Sequence, residues 1–254
     1  MEATAAGRPN ARFGREPAQE TTAEPVAPAM SIADPAPLGL AAFALTTFVL
    51  SFFNAGLVGK GGEPVVLGLA LAYGGFAQLL AGMWEFRNNN TFGATAFSTY
   101  GGFWLGLGGF VVLAEATKLG GTLTGKNDVA NGLAWFLLSF AIFNFYMLLW
   151  SSRVNLAVFG VFLTLQITEV LLAIGFWVAA HRGVAPTGAE VGWIRAGGWA
   201  GIVTAAVAWY ASAALVLAAM NNGRAILPVG KSLWTGDRFS FGQRRRLRQA
   251  TAAR

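Results

Sequence analysis

Glu169 stands beside Gln166 and Thr168 near the middle of an apolar run from Val154 to Ala180. A carboxyl group that deep in a membrane-soluble segment is costly to hold charged, turns toward the interior of a helix bundle, and by default marks an ion or proton path. Its plainer role is that of a neutral acid bonding a backbone carbonyl; a nearby cation such as Arg195 would let it stay charged. A second polar set lies in the run Leu38 to Val58, where Thr46, Thr47 and Asn54 follow Phe43. Thr47, Ser51 and Asn54 share one helical face by their spacing of three and four. Hydroxyls and an amide on one face suit a polar path, although Thr and Ser in membrane helices more often bond a neighbouring carbonyl.

That run opens with Asp34-Pro35-Ala36-Pro37-Leu38-Gly39-Leu40. Proline fits a first helical turn, where its missing N–H would be unpaired anyway, and an acidic residue before it complements the helix dipole. The segment therefore reads as a well-made helix start. Gly39, with no Cβ, would also let a small anion approach the free N–H groups there. The stretch Tyr73 to Leu107 is denser in polar groups. Gln78 lies inside its first apolar half, where an amide must find a partner and can hold helices together. The turn that follows holds Glu85, Arg87, Asn88, Asn89, Asn90 and Thr91, with Thr95 one turn on. It reads as a solvated cytoplasmic loop with Asn90 or Thr91 capping the next helix.

The chain has no cysteine and a single histidine, His181. Thiolate metal sites, cysteine nucleophiles, disulfides and multi-histidine metal sites are excluded together. With no paired-carboxylate constellation in the spans either, no catalytic residue, metal or cofactor is expected, and the chain does not read as an enzyme.

These residues need elements to position them. Hydrophobic residues make up 55% of the 254 and charged residues 12%, about half the share of a soluble domain. About twenty apolar residues cross a bilayer as a helix, and six runs are long enough: Leu38 to Val58, Pro64 to Phe86, Phe92 to Leu113, Leu133 to Trp150, Val154 to Ala180 and Val191 to Met220. The fold class is an all-α polytopic membrane protein with six transmembrane helices, joined by short turns into one antiparallel bundle. Gly74-Gly75, Gly82, Gly101-Gly102, Gly106, Gly108-Gly109, Gly197-Gly198 and Gly201 are small residues suited to close helix contact in lipid. Trp84, Trp150, Trp177 and Trp193 lie near span ends, as interfacial aromatics should.

Residues 1–33 are rich in Ala, Pro, Thr, Glu and Arg and are expected to form a flexible tail. Residues 34–231 hold the six-helix domain, and 232–254 form a basic tail with Arg244, Arg245, Arg246, Arg248 and Arg254. The net charge of +6 comes largely from that tail, which argues against a nucleic-acid surface. Placing both termini in the cytoplasm leaves only Lys60, Lys118, Lys126, Arg182 and Arg195 of the 18 basic residues outside, in keeping with the enrichment of cytoplasmic segments in Lys and Arg. The Ala-, Gly- and Arg-rich composition suggests a bacterial inner membrane.

With these residues set out, the chain resembles the acetate uptake transporter family of the GPR1/FUN34/YaaH type, which includes bacterial succinate-acetate permeases and fungal acetate and ammonia-linked transporters. The first match is the Asp34 to Leu40 run followed by Phe43 and Thr46-Thr47. Asp34 replaces the family's usual Asn, and Ala42 and Ala44 stand where glycines flanking the Phe are common. A longer match runs in order through Tyr73-Gly74-Gly75, Ala77-Gln78, Ala81-Gly82, Glu85, Asn90-Thr91-Phe92-Gly93, Thr95-Ala96-Phe97, Tyr100-Gly101 and Phe103-Trp104-Leu105. A third, Gly223-Arg224 with Leu227-Pro228-Val229-Gly230, follows the last span.

The resemblance implies a homohexamer in the lipid bilayer, each protomer with its own path for acetate, and for propionate or succinate, with proton linkage open. It also implies a narrow apolar constriction formed by Phe43, Tyr100 and Leu165, or Leu163 under a different gap placement. Such a constriction can gate by dewetting. Glu169 matches no family position and is left to proton coupling or selectivity. Two other classes remain open at this point: a channel for small neutral solutes such as ammonia, acetic acid or urea, and a membrane sensor using its basic tail to hold lipid or a partner.

Overall fold

Apolar runs of this length can satisfy their backbone N–H and C=O groups in a bilayer only by bonding them internally, as helices do. The computed structural model describes residues 32–62, 64–116 and 126–234, so Lys118 and most of the two expected tails lie outside the described residues. Helix α1 spans Ala36–Asn54. Helix α2, Pro64–Leu71, continues through a π-helical turn, Ala72–Ala77, into α3, Gln78–Arg87. Then follow α4 (Thr91–Ala116), α5 (Lys126–Ser151), α6 (Leu156–Arg182) and α7 (Gly192–Met220). With α2, the π turn and α3 counted as one rod, six helices of 19 to 29 residues are long and apolar enough to cross a membrane. The chain is a multi-pass membrane protein.

Two boundaries differ from the hydropathy reading. Helix α1 stops at Asn54 and not near Val58, because Gly56 turns the chain at a positive φ of 73°. Helix α5 begins at Lys126, well before Leu133, with Asp128 in its first turn complementing the helix dipole. Apolar content alone does not show a polar first turn that continues a helix.

The bundle closes on itself: α1 packs against α7, α7 against α6, α6 against α5, and α3 against α4. Small residues allow this closeness. A Cβ on Gly201 would collide with the Ser51 hydroxyl of α1, and one on Gly197 would lie 2.7 Å from Leu172. Gly82 and Gly101 make the equivalent contacts between α3 and α4, against Ser98 and Leu79. Gly102, Gly106 and Gly109, expected to serve the same packing, have nothing within 4 Å of a built Cβ and leave one face of α4 open. At the π turn, Gly74 lies against α1, where a Cβ would meet Thr46 Oγ1 at 2.6 Å. The wider π turn shifts the helical register for the residues after it, and Gln78 enters α3 fully buried.

Gly201→Val should loosen the α1–α7 contact at an overpacking cost of roughly 1–3 kcal/mol, read as a lower unfolding temperature in detergent. Gly68→Ala, whose Cβ meets open space, should not change it. Equal stability of the two variants would contradict the close α1–α7 packing.

Candidate functional site

Three helices start on one wall of a shared cavity, and a side-chain oxygen closes each start. Asp34 Oδ1 accepts from the Ala36 N–H at 2.9 Å, Asn90 Oδ1 from the Gly93 N–H at 3.1 Å, and Asn155 Oδ1 from the Val158 N–H at 2.9 Å. Each cap satisfies one of the N–H groups that a helix start leaves unpaired, and the positive ends of α1, α4 and α6 gather at one end of the space these helices flank. That space is a cavity of about 270 Å³, and Asp34, Asn90 and Asn155 all line it. One water requires only ~10–15 Å³ by this measure, so a small hydrated ion fits.

The segment after α7 braces the same end. The Val229 carbonyl accepts from the Ala157 N–H at 2.9 Å, satisfying another donor of the α6 start. The Tyr210 hydroxyl donates to the Pro228 carbonyl at 2.7 Å, and the Leu233 N–H to the Ser152 carbonyl at 2.8 Å. The Arg153 guanidinium lies 5.4 Å from the Trp234 ring centroid. The Leu227-Pro228-Val229-Gly230 run is thus a strap over the α5–α6 turn.

Deeper in, the wall turns apolar, with Leu40, Phe92, Phe97, Val161 and Phe162, and it ends at Phe43, Tyr100 and Leu165. The Phe43 and Tyr100 rings meet edge to face at 5.7 Å. On its other sides Tyr100 packs against Phe103, Phe140 and Phe143 at 6.4, 6.2 and 5.6 Å, an aromatic layer behind the cavity wall. The Tyr100 hydroxyl points into a buried polar cluster, 3.0 Å from Asn144 Oδ1 and 3.2 Å from Glu169 Oε1. Asn144 Nδ2 donates to the Phe162 carbonyl and to Gln166 Oε1, both at 2.9 Å.

Of the residues singled out from sequence, the structure brings Phe43, Tyr100 and Leu165 to one cavity wall. Leu165 is 6% exposed and Leu163 40%, so Leu163 faces outward. Asp34, Ala36, Leu40, Gln78 and Asn90 also line the cavity. The Gln78 Oε1 atom is buried without a hydrogen-bond partner. Pro35, Pro37, Leu38 and Gly39 do not line it. The space left by the missing Cβ of Gly39 is taken by the Phe97 ring, 2.7 Å from where that Cβ would lie, and the Pro37 carbonyl accepts from the Ser212 hydroxyl of α7 at 2.7 Å. Thr46, Thr47, Asn54, Glu85, Thr91, Thr95 and Glu169 stand off the wall. Thr46 Oγ1 bonds the Ala42 carbonyl at 3.0 Å, as membrane threonines commonly do. Glu85 is buried against Gly93 beside Asn88 and Asn90. Arg195 donates to the Gly188 carbonyl at 2.9 Å, in the α6–α7 loop.

Sequence reasoning passed over Asn155, Phe162 and above all Asn144. The signal for Asn144 was present: a lone amide between Phe143 and Phe145 in an otherwise apolar run, where burial demands partners.

Comparison with known proteins gives a consistent set. The profile described as the GPR1/FUN34/yaaH family matches residues 18–230. The chain is 42% identical over 200 residues to accumulation of dyads protein 2 of Saccharomyces cerevisiae, covering 77% of this chain and 65% of that protein. It is 35% identical over 203 residues to the succinate-acetate/proton symporter SatP of Escherichia coli, covering 79% of this chain and 97% of that protein. Among solved structures, the bacterial acetate channel SatP superimposes with a TM-score of 0.67 at 32% identity, covering 79% of this chain and all of that one. The chain therefore spans about two thirds of the length of its yeast relative and nearly all of the bacterial one.

Asn144→Leu would remove at once an acceptor of the Tyr100 hydroxyl and the amide donor to the Phe162 carbonyl and Gln166 Oε1. It should cost roughly 1–3 kcal/mol of stability, seen as a lower unfolding temperature in detergent. An unchanged transition would show that this cluster does not hold α4, α5 and α6 together.

Proposed function

The chain belongs to the GPR1/FUN34/yaaH family, and we propose that it carries acetate and related small carboxylates, propionate and succinate among them, through the cavity of each protomer. The observation that supports this reading is one cavity lined both by the starts of three helices and, two to three turns further along them, by Phe43, Tyr100 and Leu165, which we read as its constriction. A carboxylate needs both. Its anionic end is drawn by N–H dipoles of helix starts, and its small apolar body passes into the neck lined by Leu40, Phe97 and Phe162. Asp34 offsets part of the field at the mouth, because it brings its own negative charge where the family usually has an amide.

The named relatives, a succinate-acetate/proton symporter and an acetate channel, support transport over catalysis and support carboxylate over neutral-solute passage. The same proposal places both termini on the cytoplasmic side of a bacterial inner membrane, so that Arg87, Arg153, Arg224 and Lys231 lie on that side of the bundle, in keeping with the positive-inside rule. It assembles the protomers as a homohexamer, for which the open glycine face of α4 offers a surface another helix can approach closely.

The test is uptake of labelled acetate into proteoliposomes under imposed pH and voltage gradients, which also separates symport from channel flow. Wild-type protein should give saturable uptake. Phe43→Ala and Leu165→Ala should raise passage of a bulkier carboxylate such as butyrate, relative to acetate, by about tenfold or more, the usual scale for changing methylene space in an apolar pocket. Folded protein with no saturable acetate uptake would overturn the proposal.

A further inference from the structure

The polar cluster behind Tyr100 contains one hydroxyl proton and two acceptors that compete for it. Asn144 settles which way round its amide sits. The Phe162 carbonyl, a backbone acceptor that can never donate, lies 2.9 Å from Nδ2, so the nitrogen must face it and Oδ1 must face Tyr100. Both N–H groups of that amide are then spent, one on Phe162 and one on Gln166. When the Tyr100 hydroxyl donates to Asn144 Oδ1, the nearer acceptor at 3.0 Å, its oxygen is left facing Glu169 Oε1 at 3.2 Å with lone pairs only. A hydrogen bond across that gap requires the proton to come from Glu169.

The surroundings agree. Glu169 is 3% exposed and its second oxygen has no hydrogen-bond partner. Tyr100, from α4, is the titratable group that faces it. From α5, Asn144 shares the Tyr100 hydroxyl with it, while Tyr146, the titratable residue nearest in that helix, is turned outward and 43% exposed. Helix α1 carries no ionisable residue at all. In α7 the level of Glu169 is marked by Thr204, which pairs with Thr168 at 3.1 Å. Arg195 lies nine residues earlier in α7, about 13 Å along the axis at 1.5 Å per residue, and is engaged with Gly188.

Resting on the reading of the cavity as a carboxylate path, we propose that Glu169 is a proton-binding site behind the constriction, whose occupancy sets the position of the Tyr100 ring. With the proton on Glu169, Tyr100 is tied on both sides and closes the cavity against Phe43. When Glu169 gives up that proton, its carboxylate takes the hydroxyl proton of Tyr100 as a hydrogen bond. Asn144 Oδ1 then loses its donor, and the tie between α4 and α5 is released. Glu169 acts on the substrate through Tyr100 and is a positioning residue, not a group that binds the carboxylate.

Two measurements on the reconstituted full chain test this. Infrared spectroscopy should show a protonated-carboxyl C=O stretch that is lost in Glu169→Gln and shifted in Tyr100→Phe, which keeps the acid but removes its acceptor. A band untouched by both substitutions overturns the proposal, and this readout involves no acetate. Labelled acetate uptake at matched internal and external pH, corrected for protein-free vesicles, should depend on pH in the wild type. In Glu169→Gln, whose amide donates to Tyr100 at every pH, that dependence should flatten toward a ratio of one. A wild-type pH profile in Glu169→Gln overturns the proposal. Loss of the infrared band in Glu169→Gln together with no protein-dependent uptake in any variant supports the proton site and overturns the carboxylate path instead.

Discussion

The Tyr100 hydroxyl is the point on which the described bundle turns. It sits where the cavity ends, and its bonds reach Asn144 of α5 and Glu169 of α6 from a ring carried by α4. In a membrane interior such a cluster has no water to fall back on, so a lost partner is an unsatisfied group and not an exchanged one. Helix α4 makes few direct contacts with α5, whereas α5, α6 and α7 pack tightly in sequence. The hydroxyl, the packing of Tyr100 against Phe140 and Phe143, and that of Phe103 against Phe136 and Phe140 at 5.2 and 4.9 Å carry α4 onto α5.

The two ends of the cavity follow from opposite demands. At the mouth, helix starts expose N–H groups that need acceptors, so Asp34, Asn90 and Asn155 appear there, and the strap after α7 supplies the Val229 carbonyl. Along the length of α1, the neighbouring helices approach closely because Gly39, Gly74 and Gly201 leave room for Phe97, Thr46 and Ser51. Phe43 and Leu165 can then face Tyr100 across a narrow space. Polar groups collect where backbone is unsatisfied and large apolar rings where helices meet. The arrangement suits a solute with one charged and one apolar end.

Much of this was legible beforehand, for reasons that differ by residue. The spans were visible because a bilayer admits few alternatives to a long apolar helix. The Asp34-Pro35 start and the Asn90 cap were visible because capping is local. Phe43 and Tyr100 came from resemblance, since nothing in the spacing of twenty phenylalanines separates a closing ring from a packing one. The π turn was hidden because Tyr73-Gly74-Gly75 reads as ordinary helix, and it decides that Gln78 faces the cavity. The role of Gly39 was read as anion access, whereas its empty side is filled by Phe97. Asn144 was missed because its partners, Tyr100 and the Phe162 carbonyl, are distant in sequence.

The absence of cysteine makes one measurement especially direct. In Val158→Cys, the added thiol lines the cavity between mouth and neck. Modifying it fully with a bulky methanethiosulfonate, which leaves a mixed disulfide on the thiol, should stop protein-dependent uptake of labelled acetate in proteoliposomes, and a thiol reductant that cleaves that disulfide should restore it. Full modification with undiminished uptake would show that acetate does not pass through this cavity.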